Sequence, residues 1–249
     1  MIKFFRHIRQ NLITKNLSDQ RENKLARYLL YAVGEIVLVV IGILIAISIN
    51  TWNKRQQDWL AQRELLVELR ADLLIQQELI AEQIAYEALY VSQTDSARSF
   101  FSGAIDAVEL HSLLRRLSAR HTFVANKATV SKMTSTGQMT FIRNPQLVNS
   151  IVRYYQLSDY NTTVSNNNNL FIVDMQFGAF LSGNDLGFGS TESGELENRL
   201  TMDPQKRYLL QMQLSLREDL ARSAGNRFNT LGMATATLLD LVNNELKRQ

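Results

Sequence analysis

From Tyr28 to Ile49 the chain reads YLLYAVGEIVLVVIGILIAISI, apolar throughout except for Glu35 and a late Ser48. As a helix rising about 1.5 Å per residue, roughly 22 residues cover about 33 Å, enough to cross a hydrocarbon core. Tyr28 and Tyr31 at one end and Trp52 beyond the other suit the two membrane interfaces. The pattern predicts one transmembrane helix over 28–49. No Gly or Pro stands between Ile43 and Gly103, which predicts that the helix continues past the span. Tyr31, Leu38, Ile45, Trp52, Trp59, Leu66, Leu73 and Ile80 recur at every seventh residue. Inside the span this register carries little information, but Trp52 to Ile80 form a real stripe. Its companion positions Gln56, Arg63, Arg70 and Gln77 are polar, so no full coiled-coil seam is expected. The stripe predicts packing on the chain's own domain in preference to a dimer zipper.

Further along, Phe100–Asp106 reads as a turn, with Asp106 an N-cap for a short helix over 107–119. Asn126 is the expected cap of another, over 127–136, stopped by Gly137. Asn144-Pro145 opens a helix that runs to about Leu181, with Leu147, Ile151, Tyr154/Tyr155, Leu170, Val173 and Phe177 on its apolar face. The polar run Asn166–Asn169 interrupts that face. Gly183–Gly194 is the most loop-like segment, holding four of the eleven glycines. Asp203-Pro204 opens a final helix to about Leu246, whose expected face is Leu209, Met212, Leu216, Leu220, Phe228, Leu231, Thr235, Leu238 and Val242. The predicted fold is all-α: an N-terminal transmembrane helix continuing into an antiparallel, up-and-down helical bundle. The corresponding domains are a tail at 1–27, the span at 28–49 and the bundle at 50–249.

The tail MIKFFRHIRQNLI gathers Ile2, Phe5, Ile8, Leu12 and Ile13 on one side of a helix, with Lys3, Arg6 and Arg9 opposite or flanking. That is the pattern of a helix lying in a membrane surface, its cations facing anionic lipid; a disordered basic tail that only sets topology is the plainer alternative. Lys3, Phe5, Arg6, Arg9 and Trp52 are the expected surface anchors. Seven Lys and Arg precede the span (Lys3, Arg6, Arg9, Lys15, Arg21, Lys24, Arg27) and four follow within a similar distance (Lys54, Arg55, Arg63, Arg70). The imbalance places the N-terminus in the cytoplasm and the C-terminal domain outside. Cleavage after a small-x-small site at Ala46-Ile47-Ser48 competes, but the apolar run far exceeds a signal h-region of roughly 7–15 residues.

FFRHIRQNL followed by ARYLLYAVGEIVLVVIGILIAISINTWN closely resembles the start of an uncharacterised family of single-span bacterial membrane proteins, common in Bacteroidota and defined only as a domain of unknown function. SKMTSTGQMTFIRNPQLVNSIVRYY, at Ser131–Tyr155, is weakly similar to the family's helix break and following Tyr-Tyr helix. The resemblance implies a Gram-negative inner membrane and a periplasmic domain. It implies no activity.

With no cysteine, disulfides, thiolate metal sites and cysteine nucleophiles are excluded. The net charge of +3 is small and the basic excess sits in the tail, so nucleic acid is not an expected partner. His7, His111 and His121 stand in no metal-ligand spacing, no G-x-S-x-G is present, and the glycines match no phosphate loop. His111 reads as a surface residue. No catalytic residue, metal or cofactor is expected.

Glu35 lies inside the apolar run, where an ionised carboxylate costs on the order of 3 kcal/mol. Val39, Gly42, Ala46 and Ile49 share its face, and Gly42 and Ala46 form a small-xxx-small pair that admits a second helix. The alternative is that Glu35 simply reaches headgroup water. Asp95-Ser96-Ala97 resembles the short site at which Bacteroidota O-glycosylate exported proteins, making Ser96 a candidate for modification. The expected function is a membrane-anchored interaction or sensing module, acting through self-association or a membrane or periplasmic protein partner, and not an enzyme. A homo-oligomeric pore around Glu35 is the rival; it ranks lower because only Glu35 and Ser48 are polar along the span.

Overall fold

The computed structural model describes residues 23–184, 186 and 203–248, all of whose regular structure is helical. The chain divides into two units, Met1–Trp59 and Leu60–Gln249. Helix α1, Asn23–Arg98, contributes to both and holds 76 residues without interruption. In the first unit every side chain described from Tyr28 to Gln57 is exposed. This is the one helix among the described residues long and apolar enough to cross a membrane, and none of its most apolar stretch is buried.

The second unit packs four legs in alternating directions. The first is α1 from Leu60 onward. The second comprises α2 (Ala107–Leu117), a stretch without regular structure and α3 (Ala128–Ser135). The third is α4 (Pro145–Asn168), a π-helical segment Asn169–Gly178 and the short α5 (Ala179–Gly183). The fourth is α6, Pro204–Lys247. Directions follow from the pairs. His121, Asn126, Thr129 and Lys132 on the second leg bond Gln83, Gln76, Asp72 and Glu68 of α1, so one number rises as the other falls. On α6, Asn243 accepts from Arg70 at 2.8 Å, Gly232 lies against Ile80, Gly225 against Glu87, and Glu218 pairs with Arg98. Asn144 donates to Glu245 at 2.9 Å and Tyr154 bonds Thr235 at 2.9 Å, so α4 is antiparallel to α6 as well. The predicted up-and-down order therefore holds within this unit.

Three helices, α2, α4 and α6, begin where the sequence supplies a capping side chain. Asp106 accepts from Glu109 N at 2.8 Å, Asn144 from Gln146 N and Leu147 N, and Asp203 from Gln205 N and Lys206 N, with Pro145 and Pro204 at first helical positions. Helix α3 is capped differently. Asn126, the expected cap, reaches Ala128 N only at 3.4 Å, whereas Asp72 of α1 accepts from Thr129 N at 2.7 Å. Gly137 follows α3 at φ 72°, a left-handed turn that suits glycine.

The interior follows a 3.5-residue period on both long helices. On α1 all the buried positions but Leu65, namely Gln62, Leu66, Leu69, Leu73, Gln76, Ile80, Gln83, Glu87, Tyr90, Thr94 and Ala97, step alternately by four and three. On α6 the series Leu210, Leu214, Arg217, Ala221, Ala224, Phe228, Leu231, Thr235, Leu238 and Val242 does the same. These are coiled-coil seams turned inward within one chain. The stripe on Leu66, Leu73 and Ile80 is as expected, but its companions lie three residues on, not four. Leu69 is apolar, and Gln62, Gln76 and Gln83 are polar yet buried, for a reason the second leg supplies. That leg and the turn between it and α4 are not helical throughout, so their N–H groups need acceptors: Gln62 Oε1 takes Arg143 N at 3.2 Å and Gln76 Oε1 takes Asn126 N at 2.7 Å.

Two expected faces are corrected. Leu209 and Met212 are exposed and Leu216 and Leu220 only half-buried; Leu210, Leu214, Arg217 and Ala221 take the interior. An arginine at an interior position and leucines on both sides of the true seam misled the hydrophobic pattern. On the third leg Leu170 is exposed, while Val173, Phe177 and Leu181 are buried at steps of four. The wider π turn takes more residues per revolution, so every fourth residue returns to the core. Of the loop over 183–194, all but Gly183, Asn184 and Leu186 lies outside the described residues.

Candidate functional site: a charged layer inside the bundle

The second unit has two apolar clusters. One is built around Leu66, Leu73, Ile80, Phe123, Ile151 and Phe228, the other around Leu110, Leu114, Phe177, Leu181, Leu210 and Leu214. Between them the seams carry polar residues: Gln83, Glu87 and Tyr90 from α1, Ser165 from α4, and Arg217 from α6. Ala221, Ala224 and Gly225 on α6 are small, and a Cβ at Gly225 would meet Glu87 Cβ at 3.8 Å. Small residues leave the long polar side chains their space.

Arg217 is 3 % exposed. Its Nε donates at 3.0 Å to the carbonyl of Leu117, the last residue of α2, whose oxygen has no partner within its own helix. Its guanidinium carbon lies 4.0 Å above the Tyr90 ring, a desolvated cation–π contact. Burial pushes its pKa down, and the nearby Glu87 and Tyr90 pull it back up; a guanidinium remains charged all the same. Glu87 is shifted upward from the ordinary carboxylate value, foremost by burial, against the pull of Gln83, Arg217 and Arg227. Burial likewise raises the Tyr90 phenol.

A hydrogen-bond chain leads outward from Glu87. Gln83 Nε2 donates to Glu87 Oε1 at 2.8 Å, and Gln83 Oε1 lies 2.7 Å from His121 Nδ1. With the amide nitrogen committed to Glu87, Oε1 accepts, so His121 carries its proton on Nδ1. The imidazole stacks on Tyr86 at 3.8 Å between centroids, and Asn169 donates to the His121 carbonyl at 3.3 Å. The polar run Asn166–Asn169 is thus no defect in α4. Asn168 and Asn169 stand where α4 gives way to the π segment, beside the charged layer.

Glu87, Arg217, Arg227 and Ser165 line a small cavity of about 10 Å³, room for one water-sized occupant. Three buried polar atoms at its wall have no partner: Ser165 Oγ and Arg227 Nε and Nη2. Arg227 Nη1 is held separately by Ser223 Oγ at 2.8 Å. Earlier in α4, Ser158 Oγ and Asn161 Oδ1 are also buried and unpaired. Native interiors leave few such groups without a partner.

None of the site residues expected from the sequence belongs to this layer. Glu35, Val39, Gly42, Ala46 and Ile49 lie on one face of α1 in the first unit, stepping by four and three, and every one is exposed. A Cβ at Gly42 would meet nothing within 4 Å. Trp52 is exposed too. Lys3, Phe5, Arg6 and Arg9 lie outside the described residues. Ser96 is half-buried on α1, with its Oγ donating to the Ser92 carbonyl at 3.0 Å, and Asp95 beside it pairs with Arg98. His111 is half-buried, not a surface residue, with Nε2 buried and unpaired. Among the described residues no three His, Asp or Glu come together as metal ligands. The missed signal was periodic: Glu87 falls seven residues after Ile80 on the Leu66–Leu73–Ile80 seam, and Gln83 falls seven after Gln76 on its companion.

These features define a class: an all-helical protein with one long apolar helix, whose bundle interior carries a charged layer. A model of a family of unknown function, DUF6090, matches residues 35–195, and the chain belongs to that family. No curated protein and no solved structure matches it. The matched stretch includes Glu87, Tyr90, His121 and Ser165; Arg217 and Arg227 lie beyond it.

Proposed function

We propose that this protein is a single-span module of a bacterial inner membrane, with its N-terminus in the cytoplasm and a periplasmic helical bundle that works by binding. What supports the reading is that one helix, α1, carries both an apolar run with no protein cover and the Gln83–Glu87–Tyr90 side of a buried charged layer. A layer that leaves polar atoms unpaired is a poor way to stabilise a bundle. It is a good way to make the bundle responsive to what occupies it. The Glu35–Val39–Gly42–Ala46–Ile49 face offers a second copy, or another membrane protein, a close approach.

The reading is tested by retention of the full chain in membranes after alkaline extraction. A reporter active only outside the cytoplasm is fused after Gln249, and a cytoplasmic one at the N-terminus. Both should be active; the reverse pattern, or a mature chain beginning near Ile49, overturns it. Gly42→Ile should weaken self-association of the span in a membrane two-hybrid assay, with Val40→Ile as the control on another face. The rival pore would require several copies, and a monomeric mass in detergent removes it.

A further inference from the structure

The cavity of the charged layer has a definite chemistry. Its unpaired atoms are two guanidinium N–H groups of Arg227 and the hydroxyl of Ser165, which is 7 % exposed. Guanidinium donates only and the hydroxyl can donate, so a fitting occupant accepts from all three. The charges agree. Arg217 and Arg227 bring two positive charges to the wall and Glu87 brings at most one negative charge, reduced further because burial favours its neutral form. Water would satisfy the hydrogen bonds but would leave the excess charge uncompensated in a poorly solvated interior. The volume of about 10 Å³ suits a single small centre better than a polyatomic carboxylate or phosphate.

We propose that the layer binds one monatomic anion of the chloride class, held by Arg227 Nε and Nη2 and Ser165 Oγ. This rests on reading the charged layer as the functional site of the bundle, but not on membrane insertion. Occupancy ties α6, through Arg227, to α4, through Ser165, beside the π segment, and so makes the bundle's cohesion depend on halide concentration. Glu87 opposes the anion, and its neutralisation strengthens binding. The groups facing Glu87 are Gln83 and Tyr90 on its own helix and Arg217 and Arg227 on α6; His121 on the second leg reaches it through Gln83.

The test is thermal unfolding of the full chain in detergent, in sodium chloride against sodium gluconate at matched ionic strength. Chloride should raise Tm saturably and gluconate should not. Arg227→Gln and Ser165→Ala should each abolish the difference between the salts. Glu87→Gln should lower the chloride concentration at half-effect several-fold. Arg222→Gln, which removes an exposed partner of Glu218, should keep the full chloride response. If Arg227→Gln fails to fold, chloride-35 line broadening on the parent and on Glu87→Gln decides. Equal Tm in the two salts, or a chloride response that survives in both Arg227→Gln and Ser165→Ala, overturns the anion site. Neither result bears on the membrane-module reading, which stands or falls on extraction and topology.

Discussion

Helix α1 contains two apolar stretches of opposite character. From Tyr28 to Ile49 nearly every residue is hydrophobic, and every one is exposed to its surroundings. From Gln62 to Ala97 fewer residues are hydrophobic, and the buried ones include Gln62, Gln76, Gln83, Glu87 and Thr94. Total hydrophobicity therefore marks what the helix is immersed in, while periodicity marks what it packs against. The first stretch needs no partner helix if lipid surrounds it. The second owes its burial to three other legs, and a polar residue is acceptable there wherever a leg returns a hydrogen bond.

The sharpest break of this comparison sets Leu73→Asp against Leu38→Asp. Leu73 is fully buried, so the charge should destabilise the bundle by several kcal/mol and abolish cooperative unfolding by circular dichroism. Leu38→Asp should leave bundle Tm unchanged and instead reduce recovery of the chain in membranes. Leu214→Asp should resemble Leu73→Asp, whereas Leu216→Asp, at a half-buried site, should cost clearly less.

Next in size is Arg217→Met, which leaves the buried Leu117 carbonyl unpaired and takes a positive charge away from Glu87. A loss of about 1–3 kcal/mol is expected from denaturant unfolding. Adding Glu87→Leu should restore part of it, since the buried charge is then gone; a strictly additive double mutant would show that the two groups do not interact.

Glu87 supplies a smaller, pH-dependent effect. Its folded pKa is raised, so the folded state holds the proton more tightly than the unfolded chain. Ionisation at neutral pH then costs stability, and that cost is relieved as pH falls through the folded pKa towards the ordinary value near 4.5. Glu87→Gln should accordingly be at least as stable as the parent at neutral pH. Its advantage should shrink as pH is lowered through that window; a gap that grows instead would contradict the burial effect. The smallest change is Gly232→Ala, whose added Cβ meets Ile80 Cγ2 at an ordinary 3.5 Å. Helix propensity then predicts a gain of up to about 1 kcal/mol, read as a modest rise in Tm.

Much of the architecture was legible because it is local. The caps at Asp106, Asn144 and Asp203, the glycine stop at Gly137 and the uninterrupted helix through 98 depend on neighbouring residues, and so did the apolar run. The Leu66–Leu73–Ile80 stripe was visible for the same reason. Its companion seam was not, because Gln76 and Gln83 are interior only by virtue of Asn126 N and His121 Nδ1, some 50 and 38 residues away. Arg217 was hidden likewise: nothing near it in sequence announces that the Leu117 carbonyl and the Tyr90 ring will receive it. A polar side chain is placed by its partners, and those came from other legs of the bundle. Apolar periodicity thus set which helices form, while tertiary packing alone decided where the charged layer lies, since only there do distant donors and acceptors meet out of water.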